Sequence, residues 1–249
     1  MSEQIIIGVP GVWKNPGEIA QAVAQQNQDL LFAGFTLMDS VTQDVSFIEW
    51  HEHDPRLVDV FETLGQPWID EKDLANIAQH RGTLWVMSSD VSLTHARQMM
   101  KVGQTLLKAG GLGIKVETSG VAHSAQRWQA LTDSAALTND DATSPVYCAF
   151  VNLVEGAETN YSCGMHNFGL PDVSLPKHAD GPDGVMVAAQ VLHQFNQYQL
   201  NALPEFNDDD IFSLDENMPR FSLRFEACED CAPEHPFYNP FGRWHLTPQ

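Results

Sequence analysis

The segment NYSCGMHNFGLPD, residues 160–172, gathers a thiol, an imidazole and a carboxylate in a short, glycine-studded run. Cys163, His166 and Asp172 are the residue types of a nucleophile, its base and a group that orients the base. Such chemistry needs sulfur and imidazole within hydrogen-bond reach and a thiol that meets solvent. The run reads as extended chain, because Gly164 and the stretch Asn167 to Pro171 disfavour a helix. Residues three apart on a strand point to opposite faces, so Cys163 and His166 should diverge.

Either residue would then need a distant partner, and His123, after the strand-like GIKVETSG, is the candidate. Ser119 or His123 is expected to open a helix there, at a strand end where α/β sheets place ligands and helix N-termini favour anions. The competing reading is structural: Ser119 caps the helix, His123 packs in its first turn, and Cys163 is a small buried apolar residue. Asp172, after Gly169 and Pro171, then bonds its own turn. The structural reading is the one adopted, and it assigns no residue to catalysis. The enzymatic alternative is a hydrolase or transferase using Cys163 or His166 with His123.

Metal chemistry has two starting points. Cys228 and Cys231 form a CxxC followed by His235, but a structural zinc takes four ligands and no second pair stands nearby in sequence. Cys148 or His245 would complete that set only through folding, and the acidic Glu229 and Asp230 between the thiols disfavour a redox role. His51 and His53 share a face if VSFIEWHEHD is a strand, without a third ligand beside them. No metal is assigned. No cofactor is expected either, since the chain lacks the dinucleotide GxGxxG, the phosphate-binding GxxxxGK[ST] and the GxSxG elbow.

These residues are carried by a chain of 249 residues with 33 acidic and 13 basic side chains, a net charge of −20. That balance repels phosphate backbones and anionic lipid, so neither nucleic acid nor a membrane is an expected partner; a basic protein is. Hydrophobic residues make up 43%, with 13 Phe and 6 Trp, enough for a core that needs no staples. Four cysteines are too few for a secreted disulfide scaffold, and the N-terminus has no basic start followed by a long apolar run. A cytoplasmic location is expected.

The elements that must position the candidates follow from pattern. Ile5–Val9 reads as a strand, and Asn15-Pro16 with Glu18 as a capped helix start. Leu30–Asp39 and Val45–Asp54 read as extended segments that pair, Pro55–Leu64 and Asp70–Gln79 as helices, and TLWVMSS as a buried strand. Ser92 caps the clearest helix, in which Ala96, Met99, Met100, Gly103, Leu106 and Leu107 keep helical spacing until Gly110. Asp133–Pro145 reads as a polar loop, VYCAFVNLVEG as a strand, and DGPDG as a turn before a helix with Ala188, Val191, Leu192 and Phe195 on one face. Asn201–Asp210 is an exposed acidic loop, and FSLDENMPRFSLRFEA a hairpin turning near Asn217–Pro219. The predicted fold class is α+β: mixed sheets covered by helices, built as two similar halves packed together. The chain is expected to form one unit, 1–249, with subdomains 1–132 and 146–249.

The order GIKVETSGVAHSAQRW, VYCAFVNLVEG, NYSCGMHNFGLPDVSL, then a long helix and FSLDENMPRFSLRFEA resembles a bacterial domain-of-unknown-function family over roughly Gly113–Ala227. In that family a strand leads to a short His-Ser helix and then to a Gly-x-x-x-Phe-Gly-x-Pro strand. The resemblance implies architectural roles for Phe168, Gly169 and Pro171 and carries no activity. Charge and the lack of a complete reactive constellation point to a protein-binding function, adaptor or immunity-like, with a basic partner.

Overall fold

The computed structural model describes residues 4–26, 29–137, 143–177, 181–213, 219–229, 232–233, 235 and 237–249. The chain divides into two compact units, Ser2–Ala149 and Phe150–Gln249.

The first unit is built on a seven-stranded, wholly antiparallel sheet. Its strands are β1 (Ile6–Gly11), β2 (Leu30–Ala33), β3 (Thr36–Asp39), β4 (Val45–Glu52), β5 (Gly82–Met87), β6 (Gly113–Val116) and β7 (Val121–Ser124). Their spatial order is β2-β3-β4-β5-β1-β6-β7. Strand β1 sits centrally because Ile7 and Val9 are fully buried, opposite Val86 and Leu84 of β5. Helices α1 (Pro16–Gln26), α4 (Leu93–Lys108) and α5 (Ala125–Leu137) form one interacting set, with α1 on β2, α4 on β1 and α5 on β6 and β7. Asn15 caps α1 through the Glu18 N–H at 3.1 Å, while the Glu18 carboxylate accepts from Lys14 N rather than Asn15 N. Ser92 caps α4 by accepting from His95 N, and α4 buries Ala96, Met99, Met100, Gly103 and Leu106. A Cβ on Gly103 would lie 2.8 Å from Nε1 of Trp128 on α5, so glycine is what lets that indole donate to Met100 O.

Helices α2 (Leu57–Leu64) and α3 (Glu71–Ile77) and the connection between them bury Leu57, Phe61, Ile69 and Ile77 around Ala122 of β7. Asp70 and Asp73 form the capping box that starts α3. Helix α6 (Thr143–Phe150) ends at the boundary between the units.

The second unit carries a six-stranded sheet. It comprises β8 (Asn152–Glu155), β9 (Thr159–Cys163), β10 (Asp172–Pro176), β11 (Ile211–Ser213), β12 (Arg220–Glu226) and β13 (Arg243–Pro248), ordered β11-β12-β13-β10-β9-β8. Only the β10–β13 pair is parallel. Helix α7 (Gly181–Ala202) lays Ala188, Val191, Leu192 and Phe195, a single helical stripe, against Val173, Leu175, Phe212, Phe221, Leu223, Trp244 and Leu246. Both units use the same kernel of strand, helix and three-stranded meander: β1-α1-β2-β3-β4 and β10-α7-β11-β12-β13. In the first, β5 is inserted between the kernel's first and last strands; in the second those strands pair directly.

The α+β class is as the sequence predicts, with five local corrections. Leu30–Asp39 is not one extended segment but the hairpin β2–β3, turning at Gly34 with φ 66°. VYCAFVNLVEG is not one strand: Thr143–Phe150 is helical and the strand is Asn152–Glu155. Val146, Ala149 and Phe150 fall three and four apart and are fully buried, a helical stripe that a short apolar run does not reveal by itself. The expected loop at Asp133–Pro145 is helical at both ends, with 138–142 outside the described residues. Ser119 and His123 open no helix; Gly120 turns at φ 63° and sends the chain back as β7. The residues GPDG belong to the first turn of α7 rather than to a turn before it. The hairpin β11–β12 forms, and most of its expected turn, at 214–218, lies outside the described residues. No helix among the described residues is long and apolar enough to cross a membrane.

Candidate functional site

Cys163 and His166 do not share a strand. Cys163 is the last residue of β9, and His166 lies in a 3-10 helix, Met165–Phe168, entered through Gly164 at φ 125° and left through Gly169 at φ 74°. Strand alternation therefore does not govern their relation, and the reading of the run as continuous extended chain is corrected. What governs the segment is burial. Cys163 and His166 are each 6% exposed, Asn167 is fully buried and Asp172 is 3% exposed.

Asp172 holds the segment together. Its Oδ1 accepts from Ser162 Oγ at 3.0 Å and Met165 N at 3.2 Å, and its Oδ2 accepts from Asn239 Nδ2 at 2.7 Å. Asn239 Nδ2 also donates to Leu170 O and its Oδ1 accepts from Phe241 N, while Ser162 Oγ accepts from Val173 N. Asn167 Nδ2 donates to Phe150 O, and Gln199 Nε2 on α7 donates to Pro171 O. Side chains thus satisfy Met165 N, Val173 N, Phe241 N and the carbonyls of Phe150, Leu170 and Pro171, while Asn167 N, Gly169 N, Leu170 N and Asp172 N donate to backbone carbonyls. Burial pushes the Asp172 carboxyl above its ordinary value, against the pull of His166 and its three donors. With its donors already placed and no solvent face, this carboxyl acts as a tie between β9, β10 and the 239–242 turn. A substrate reaching Cys163 or His166 would first need those side chains exposed.

His123 lies in the first unit and is closed in there. The Ala149 carbonyl accepts from its Nε2 at 2.9 Å, which fixes the proton on that nitrogen, and its ring sits 5.4 Å from that of Trp128. Nδ1 is buried with no hydrogen-bond partner among the described residues. Burial lowers its pKa to about 4, so the ring stays neutral.

The metal candidates are dispersed or outside the described residues. Cys231 lies outside them; Cys228 is half-buried, and His235 is exposed and accepts from Phe237 N. His51 on β4 bonds Glu49 at 2.8 Å, and the ring of His53, past the strand end, lies tilted against that of His80 with centres 4.3 Å apart. Among the described residues no group of three or more His, Cys, Asp or Glu side chains is arranged to hold a metal.

The surface that is open lies on the first sheet. Register places Leu31, Met38, Val45, Phe47, Met87 and Ile6, from β2, β3, β4, β5 and β1, on one face. Phe47 is 50% exposed and Leu31 42%, and the other four are partly exposed. Ala122 and Gly113, on the same face, are covered by Phe61 and its neighbours of α2 and α3, so the helices shield only the β6–β7 end. Trp85 of β5 lies on this face across from Gly8, where a Cβ would come within 2.6 Å of the ring. Lys115 sits over the Trp85 ring at 5.5 Å and pairs with Glu117, and Glu49 and His51 complete a polar border. Among the described residues β2 pairs only with β3, leaving its outer edge unpaired, and Phe35 at the hairpin tip is 84% exposed. The sequence signal for this patch was the alternation of β4, whose Val45, Phe47 and Glu49 share a face while Ile48 is buried. No family model, curated protein or solved structure matches this chain.

Proposed function

We propose that this protein works by binding a basic protein, in an adaptor or immunity-like role, through the open half of its seven-stranded sheet. The observation that carries the reading is the run of exposed apolar side chains on one sheet face, Leu31 and Phe47 foremost, next to the edge strand β2, which pairs only with β3 among the described residues. Contiguous exposed apolar surface with a polar border is the usual mark of a protein-docking site. The net charge of −20 supports a basic occupant, since complementary charge speeds encounter and sets partner choice. The test is a complex recovered with the wild-type chain and titrated with salt. Affinity should fall steeply toward about 0.5 M salt, where the screening length is only about 4 Å. The double variant Leu31→Asp, Phe47→Asp should keep its thermal stability and lose the partner. A partner that is acidic, or that the double variant retains, would remove the proposal.

A further inference from the structure

We propose that the groove between α4 and α5 is a binding site for a small molecule carrying two or more phosphate groups. The groove has a volume of about 640 Å³, within the roughly 300–1,000 Å³ common for small-molecule sites. It is lined by Arg97, Lys101, Gln104 and Lys108 of α4, with Thr132 and Asp133 of α5. The four α4 residues fall at i, i+4, i+7 and i+11, a single stripe along the helix.

Charge is what singles the groove out. The chain has 33 acidic side chains for 13 basic ones, yet α4 carries Arg97, Lys101 and Lys108 and no Asp or Glu over its 16 residues. None of the three forms an ion pair among the described residues. Nε of Arg97 is buried with no acceptor among them. The carboxylate in the groove does not serve: Asp133 accepts from Gln104 Nε2 at 3.0 Å and from Gln129 Nε2 at 2.8 Å. Gln104 of α4 and Gln129 of α5 thus hold Asp133 between the two helices, and it forms no ion pair with the α4 cations among the described residues.

The spacing selects the ligand. At a rise of 1.5 Å per residue, Arg97 and Lys101 stand about 6 Å apart along the axis and Lys101 and Lys108 about 10 Å apart. A lone phosphate meets one of these, whereas a compact polyphosphorylated molecule bridges them. Arginine supplies the planar fork that matches phosphate oxygens and the lysines act as point charges. A long polyanion such as nucleic acid is disfavoured because its remote charges meet the acidic remainder of the chain, while a compact one lies within about 8 Å, the screening length at physiological salt.

The test is calorimetric titration and thermal melting of the full chain with tripolyphosphate as the probe. The expected result is saturable binding at one site, a rise in melting temperature, and inorganic phosphate weaker by about tenfold or more. Lys101→Gln with Lys108→Gln, both at exposed positions, should leave the unliganded melting temperature unchanged and weaken tripolyphosphate by about tenfold or more; either change alone should give an intermediate loss. Absence of saturable binding at millimolar probe would overturn the proposal. So would unchanged affinity in the double variant, or an equal stabilisation by sulfate at matched ionic strength.

Discussion

Replacing Asp172 tests the tie that closes the segment of residues 160–172. In Asp172→Ala three donors lose their acceptor: Met165 N, Ser162 Oγ and Asn239 Nδ2. Ser162 can rotate and Asn239 keeps Leu170 O, but the Met165 N–H belongs to a fully buried residue and has no alternative. Each hydrogen bond to a charged group contributes about 1.5–3 kcal/mol, and losing the buried carboxylate gives back part of the loss. The net cost should be about 3 kcal/mol. Asp172→Asn keeps the shape and the Oδ1 contacts but sets an amide nitrogen against Asn239 Nδ2, whose own oxygen is held by Phe241 N. It should cost less, about 1–2 kcal/mol. Urea unfolding at constant m reads both.

The pH dependence has a defined sign. Burial raises the folded pKa of Asp172, so the folded state holds the proton more tightly, and stability from this group is present at low pH and lost as pH rises through the folded pKa. Measured against Asp172→Asn, the wild type should therefore lose stability as pH climbs above the ordinary carboxyl range. An alanine variant costing less than about 1 kcal/mol, or an asparagine variant costing more than the alanine one, would refute the reasoning.

Three further outcomes are expected. Phe168→Ala should cost about 3–5 kcal/mol, because the ring is buried edge-on to Phe150; a loss below about 1 kcal/mol would contradict that packing. Stability should fall as pH drops from 6.5 toward about 4, since the unfolded imidazole of His123 takes up a proton that the folded one refuses; His123→Gln should flatten that fall, and an unchanged slope would assign it elsewhere. In native protein Cys163 should alkylate more slowly than the half-buried Cys228, and rapid labelling of Cys163 at neutral pH would reopen the enzymatic alternative.

Legibility in the sequence tracked how local each determinant is. Helix α4 was readable because Ser92 and the Ala96-to-Leu106 stripe lie within the helix they define. The Val146–Phe150 helix was not, because its run is too short for period to separate helix from strand. His123 lies in a strand and not a helix because Gly120 at φ 63° closes a four-residue hairpin turn, 117–120, where Ser119 suggests a cap. Asp172 read as a local turn residue, since its decisive partner Asn239 is 67 residues away and nothing in the segment points to it. The open sheet face was hidden for a similar reason. Phe47 is exposed only because α2 and α3 cover the other end of the face, a matter of strand order rather than of β4 itself.

The docking account is tested most directly by a photo-crosslinking side chain placed at position 47 in cells that express the protein, with position 186, exposed on α7, as the control. The account predicts a crosslink from position 47 to a protein of net positive charge, none from position 186, and loss of the product when the lysate salt is raised before illumination. Equal crosslinking from both positions, or an acidic protein captured at 47, would contradict it.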